Sequence, residues 1–248
     1  IKRGVSYGSD FRSINSVIFS PSGKTLASAS GDGTVKLWDS LTGKEITTLE
    51  GHTGEISSIS FSPNGKTIVS ASNDTTLKLW DTDTGKEIKT FKANTREITS
   101  VNFSPDGKTI ASASRHNKVK LWDVTNGKEI RTLSNSTGVN SVSFSPDGNT
   151  IASASHSGTV KLWDSYTGKD LKTLLPNSGE VSSISFSPDG KTIAFASEDN
   201  TVKLWDINTN REITTLKLIG VGGISFSTEG KNIASESGDG TVILCNFD

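Results

Sequence analysis

Apolar residues along this chain come in short runs that turn residues interrupt, and none recurs at helical spacing. The pattern predicts strands throughout. In the stretch 98–133 the first run, Ile98-Thr-Ser-Val-Asn-Phe103, places its apolar positions out of parity between Ile98 and Val101. One extra residue there, a β-bulge, would bring Ile98, Val101 and Phe103 to one face, and Ile56, Ile59 and Phe61 show the same offset. Ser-Pro-Asp-Gly follows, with Pro suited to the first corner of a type I turn and Gly to the left-handed position that closes a hairpin. A second run, Thr109-Ile-Ala-Ser-Ala-Ser114, has one large apolar residue and then small ones, as expected of a strand pressed between sheets. A third, Val119-Lys-Leu-Trp-Asp123, carries apolar residues on both faces, the Lys stem lying along them with its amine in water. After Asn126-Gly127, Glu129-Ile-Arg-Thr-Leu133 reads as a polar outer edge.

This four-strand unit repeats. Tryptophans fall at Trp38, Trp80, Trp122, Trp163 and Trp205, in steps of 42, 42, 41 and 42 residues, with Cys245 at the next place. Phe19, Phe61, Phe103, Phe144, Phe186 and Phe226 keep the same beat, so there are six copies. A thin four-stranded sheet cannot bury two apolar faces by itself, and packing such sheets radially around an axis solves the problem.

Composition narrows the function. Hydrophobic content is 32%, which suits many thin sheets better than one thick core. Lys plus Arg number 26 and Asp plus Glu 27, so neither a nucleic-acid footprint nor a polybasic membrane patch is expected. Cys245 is the sole cysteine, which excludes an internal disulfide and a cysteine-rich metal cluster. There is no membrane-length apolar run and no signal-peptide pattern, and a cytoplasmic monomer is expected. With Ile at the first position and no Met anywhere, a piece excised from a longer protein is expected.

The motifs Ser-Pro-Asp-Gly, Ala-Ser-Ala-Ser, Asp-Gly-Thr-Val-Lys-Leu-Trp-Asp and Leu-Glu-Gly-His resemble those of the WD40-repeat family, across essentially the whole chain and with wording closest to bacterial members. The resemblance implies an all-β fold: one six-bladed β-propeller domain over residues 1–248, built of four-stranded antiparallel blades. It also implies a hydrogen-bonded network of His52, Ser70, Asp74 and Trp80 in copy two, where both imidazole nitrogens need partners. Elsewhere the His position holds Asp10, Asn94, Asn135, Asn177 or Lys217, which leaves that network broken or rebuilt.

No catalytic constellation assembles, and the chain reads as a non-enzyme without cofactors. Histidines His116 and His156 fall in neighbouring turns but lack a third ligand, so solvent-exposed turn residues are a better reading than a metal site. Positions that vary between copies cluster in two loops expected on one rim. Before the first strand stand Glu55, Arg96, Glu97, Gly138 and Glu180; between the second and third stand Gly31, Asn73, Arg115, His116, His156 and Glu198. In the family such positions, with the polar residues just inside them (Asn15, Ser57, Thr99, Asn140, Ser182), contact peptides or proteins. The rim carries more acid than base, which favours a protein or peptide partner containing Lys or Arg. Two alternatives stand beside this reading: a ligand-free structural or engineered scaffold, which the near-regular blades suit, and a small-molecule or metal site in the central channel.

Copy six departs most. Cys245 replaces Trp, leaving a gap worth roughly 3–5 kcal/mol of packing if uncompensated. Thr228-Glu229 replaces Pro-Asp, and Gly220, Gly222 and Gly223 thin the inner strand, so this blade is expected to be the most mobile. It also stops after its third strand, while Ile1–Tyr7 precede the first strand of copy one with Tyr7 aligned to Leu49. The N-terminal strand is therefore expected to complete the last blade beside Thr241–Phe247. Deleting residues 1–7 should then lower the melting temperature markedly; an unchanged melt would argue against this closure.

Overall fold

A computed structural model describes residues 13–93, 97–175, 179–218, 220–236 and 241–246. Ile1–Tyr7, expected to complete the last blade, lie outside the described residues, as do Asp10, Asn94, Arg96 and Asn177. The described residues form a six-bladed β-propeller with no helix. Five sheets have four antiparallel strands in chain order, and the sixth has three. Blade 2 is representative, with strands Ile56–Phe61, Thr67–Ser72, Thr76–Asp81 and Glu87–Lys92 running from the inside outward. Blade 6 consists of Ile224–Phe226, Asn232–Glu236 and Val242–Asn246.

The hairpins follow from their residues. Gly107 takes φ 71° and donates its N–H to Ser104 O at 2.9 Å, while Asp106 accepts from the Ser104 hydroxyl (2.6 Å) and the Lys108 N–H (3.0 Å). Between the third and fourth strands Gly85 has φ 69°, and Asn210 takes the same left-handed region at 57°, an angle that Asn tolerates. Carboxylates such as Asp81 close these turns by accepting from the N–H and hydroxyl of Thr84, both at 2.8 Å. Those bonds hold Asp81 below its ordinary range.

The bulge lies where apolar spacing places it. The pairing of first and second strands slips by one residue between Ile14 and Ser16, Ile56 and Ser58, Val139 and Ser141, and Val181 and Ser183. In blade 3 the slip isolates Thr99. Consecutive sheets then bury one face against each other. Ala27, Ala29, Val35, Leu37 and Leu49 of blade 1 pack against Ile56, Ile59, Phe61, Ile68 and Trp80 of blade 2. We term the first set a trailing face and the second a leading face. The pairing recurs between blades 2 and 3, 3 and 4, 4 and 5, and 5 and 6. Burying each Ile or Phe of a leading face contributes about 1.5–3 kcal/mol.

The third-strand lysines do more than extend into water. Lys78 Nζ meets Glu87 of the fourth strand at 2.5 Å while standing 5.9 Å from the Trp80 ring centre. Lys36, Lys120 and Lys161 repeat both contacts, with Glu45, Glu129 and Asp170 and with Trp38, Trp122 and Trp163. The amine is thus tied to the outermost strand across the face of the tryptophan.

Under that ring, Trp80 Nε1 donates to Ser70 Oγ at 2.8 Å, and Ser70 Oγ lies 2.7 Å from His52 Nε2. His52 Nδ1 lies 2.7 Å from Asp74 Oδ2, which also accepts from the Thr53 N–H, while Oδ1 takes the Thr76 hydroxyl. The four residues make the network that the resemblance implies. Other blades keep less of it. In blade 4, Ser153 Oγ reaches Asn135 Oδ1 at 3.3 Å, but the buried Asn135 Nδ2 has no partner among the described residues, because Ser157 stands where blade 2 has Asp74. In blade 5 Phe195 replaces the serine and is buried beside Trp205, whose Nε1 turns to Asn210 Oδ1 at 3.4 Å.

Burial holds the His52 imidazole below its ordinary value of 6.5, with Asp74 pulling the other way. Burial raises Asp74, but bonds from Thr76, His52 and Thr53 outweigh it and keep the carboxyl below its ordinary range. The unfolded chain therefore takes up a proton at His52 before the folded one does. Stability contributed by neutral His52 is complete above about pH 6.5 and is lost as pH falls below it. Acidification from about pH 7 to 5 should lower the melting temperature of the native chain more than that of His52→Asn; parallel pH curves would contradict this. Rebuilding the blade 4 network with Asn135→His and Ser157→Asp should add about 1–2 kcal/mol, a rise of about 3–6 °C in a thermal melt.

Candidate functional site

The bulge residues Asn15, Ser57, Thr99, Asn140 and Ser182 stand at one end of the inner strands. Each donates across to the next blade: Asn15 Nδ2 to Ile56 O (2.9 Å), Ser57 Oγ to Ile98 O, Thr99 Oγ1 to Val139 O (2.7 Å), Asn140 Nδ2 to Val181 O (3.0 Å) and Ser182 Oγ to Gly222 O (3.4 Å). In blades 2 to 5 the acceptor is the carbonyl just before the next bulge residue, so the links form a belt around the axis. A second tier lies below it, where Ser58, Ser100, Ser141 and Ser183 accept the N–H of Val101, Val142, Ile184 and Ile224. These serines and amides hold the blades together at the channel wall.

Above the belt opens a cavity of about 470 Å³ that draws residues from five consecutive blades, which places it at the mouth of the axis. Glu55, Asn73, Glu97, Arg115, Asn140 and Glu180 all line it. Two of the carboxylates are held. Asn15 Nδ2 donates to Glu55 Oε1 at 2.8 Å, and Asn73 Nδ2 lies 3.4 Å from Oε2. Asn140 Nδ2 donates to Glu180 Oε1 at 2.7 Å, while His156 Nδ1 pairs with Oε2 at 2.8 Å. Blades 1 and 2 and blades 4 and 5 thus build the same amide-to-carboxylate clamp.

Glu97 and Arg115 are different. Glu97 sits at φ 55° with its carbonyl accepting the Arg115 N–H at 3.2 Å. Neither side chain makes an ion pair or hydrogen bond among the described residues, and both are exposed at the cavity. Three carboxylates and one guanidinium leave the mouth net negative, with one free charge of each sign.

Not every rim position expected from the sequence joins this mouth. His156 reaches it only through Glu180, and Gly138 makes room for the imidazole, since a Cβ there would lie 2.7 Å from His156 Cδ2. His116 and Glu198 are exposed and do not line the cavity, and Arg96 lies outside the described residues. Among the described residues no group of three or more His, Cys, Asp or Glu side chains is arranged to hold a metal, and no helix is long and apolar enough to cross a membrane. The His156–Glu180 pair was not foreseen. Spacing within one copy gives no signal for it, because His156 belongs to blade 4 and Glu180 to blade 5, whereas Asn73 meets Glu55 within blade 2.

Comparison with known proteins agrees with this geometry. A family profile described as IFT122 first beta-propeller matches residues 73–220, more than half of the chain. A second, WD domain, G-beta repeat, matches residues 5–39 and 43–81. The Notchless protein homolog of Arabidopsis thaliana is 51% identical over 41 residues, a match that takes in 16% of this chain and 9% of that protein. The repeated sheets, the Trp-centred third strands and these matches together show that the chain belongs to the WD40-repeat β-propeller family.

Proposed function

We propose that the channel mouth binds a protein or peptide segment bearing a Lys or Arg side chain, and that residues 1–248 act as one non-catalytic interaction platform. One observation carries this: within a single cavity, clamped Glu55 and Glu180 lie beside Glu97 and Arg115, whose charges find no partner among the described residues. Amides that fix a carboxylate remove the cost of ordering it when a cation arrives. The family's general use of propellers as protein-binding scaffolds supports the same reading. A ligand-free spacer has no need of two matched clamps beside unpaired charges. Arg115 supplies specificity, since its planar fork suits a carboxylate on the partner next to the basic residue.

Basic peptides selected on an array against the intact chain provide the test. Glu55→Gln with Glu180→Gln keeps an acceptor for each amide and removes both charges. This pair should weaken binding by about tenfold or more and flatten its salt dependence. Arg115→Ala should weaken binding further only for peptides with an acidic neighbour. Undiminished binding by the double Gln variant would move the site off this rim.

A further inference from the structure

The buried amide of blade 4 takes the part that His52 plays in blade 2, and the two sites differ by one carboxylate. In blade 2, Asp74 accepts from His52 Nδ1 (2.7 Å), the Thr53 N–H (3.1 Å), the Thr76 N–H (2.9 Å) and the Thr76 hydroxyl (2.6 Å). Blade 4 keeps much of what surrounds that carboxylate. Trp163 Nε1 donates to Ser153 Oγ at 2.9 Å, as Trp80 does to Ser70. The Ser153 hydroxyl then gives its own proton to Asn135 Oδ1 at 3.3 Å. That bond turns the amide oxygen toward Ser153, so Nδ2 points the other way, as His52 turns Nε2 to Ser70 and Nδ1 to Asp74. Asn135 is only 8% exposed, and its Nδ2 has no partner among the described residues. Thr159 holds the place of Thr76, and Ser157 that of Asp74.

We propose that this position in blade 4 binds a small monocarboxylate of formate size, at a site separate from the channel mouth. Ser157 ends at an oxygen one bond from Cβ, whereas an aspartate there would carry both its oxygens a bond further toward the donors. Those donors are plentiful. Thr137 Oγ1, Ser155 Oγ and Thr159 Oγ1 lie 3.1, 3.0 and 3.1 Å from Ser157 Oγ. Each hydroxyl turns its proton to suit, and Asn135 Nδ2 adds two N–H bonds. A set with donors in excess selects an anion, and a carboxylate accepts about four such bonds. A buried amide without an acceptor is costly, so the bound anion restores what an aspartate would supply. Ser157 is exposed, which opens the site to solvent. The neighbouring charges are engaged elsewhere, His156 with Glu180 at 2.8 Å and Lys161 with Asp170 at 2.7 Å. Neutral donors shaped around a planar carboxylate in blade 2 suit formate better than a tetrahedral dianion.

Sodium formate is the probe, added to the whole chain at about pH 7 with ionic strength held constant by sodium chloride. Ser157→Asp is the control, since it supplies the carboxylate from the chain itself. Between zero and about 100 mM formate the melting temperature of the native chain should rise by about 3 °C more than that of Ser157→Asp. General salt effects move both chains alike and cancel in the difference. Saturation-transfer NMR should show magnetisation passing from the native protein to the formate proton, and Ser157→Asp should abolish it. Ser157→Gly removes the CH2OH group and should turn the preference from formate to acetate, whose methyl group takes that space. Equal rises in the native chain and Ser157→Asp overturn the proposal, as does a native chain that gives no saturation transfer. An unchanged order of formate and acetate in Ser157→Gly overturns it as well, because the anion then binds somewhere other than beside this side chain.

Discussion

A sheet of four short strands with apolar residues on both faces has no inside of its own. Every other feature of this molecule answers that constraint. Alanines on the second strand keep each trailing face shallow, and the branched and aromatic residues of the next blade fill the space they leave. Large residues on both sides would hold the sheets too far apart at the axis, while small ones on both sides would leave voids that cost stability. The result is a directional interface that adds blades in one sense only.

The bulge turns that stacking into a ring with a usable opening. By inserting one residue it brings the apolar positions of the inner strand to a common face, and it also frees a polar side chain to reach the adjacent blade. Asn15 and Asn140 serve both purposes, binding a backbone carbonyl with the same amide that holds a rim glutamate. Scaffold and candidate site therefore share atoms at two places. Serine and threonine at the other bulges hold the ring but reach no carboxylate, so the mouth is chemically uneven although the fold is regular.

Departures between copies show how a repeat absorbs lost polar partners. With His52 and Asp74 present, the chain of bonds to Trp80 is complete. Asn135 without an aspartate leaves an amide unsatisfied, and Phe195 abandons the polar solution and packs its ring near Trp205 instead. The last of these is the lower-risk exchange, since replacing a polar group by a well-packed apolar one costs less than orphaning half of a pair. Glu236 is a third kind of departure, in which two glycines open room for a carboxylate at a level that is otherwise apolar.

Period and residue type were enough to determine the strands, their bulges, their turns and the sixfold repeat, because each depends on spacing within one copy, and the His52 network followed from the family resemblance. The varying rim positions were legible too, as the residues that the scaffold does not dictate. What the sequence could not determine were relations between copies. It did not show that the lysine amines cross the tryptophan faces to the outer strand, that His156 would be taken up by Glu180, or that Arg115 would stand beside Glu97 with no ion pair among the described residues. Nor did it show which apolar faces stay open, since Phe19 and Phe61 occupy the same place in the repeat and differ only in what stands in front of them. Local pattern sets which side of a strand is apolar, whereas burial and charge pairing depend on distances between chain segments some forty residues apart, and only the packed ring sets those.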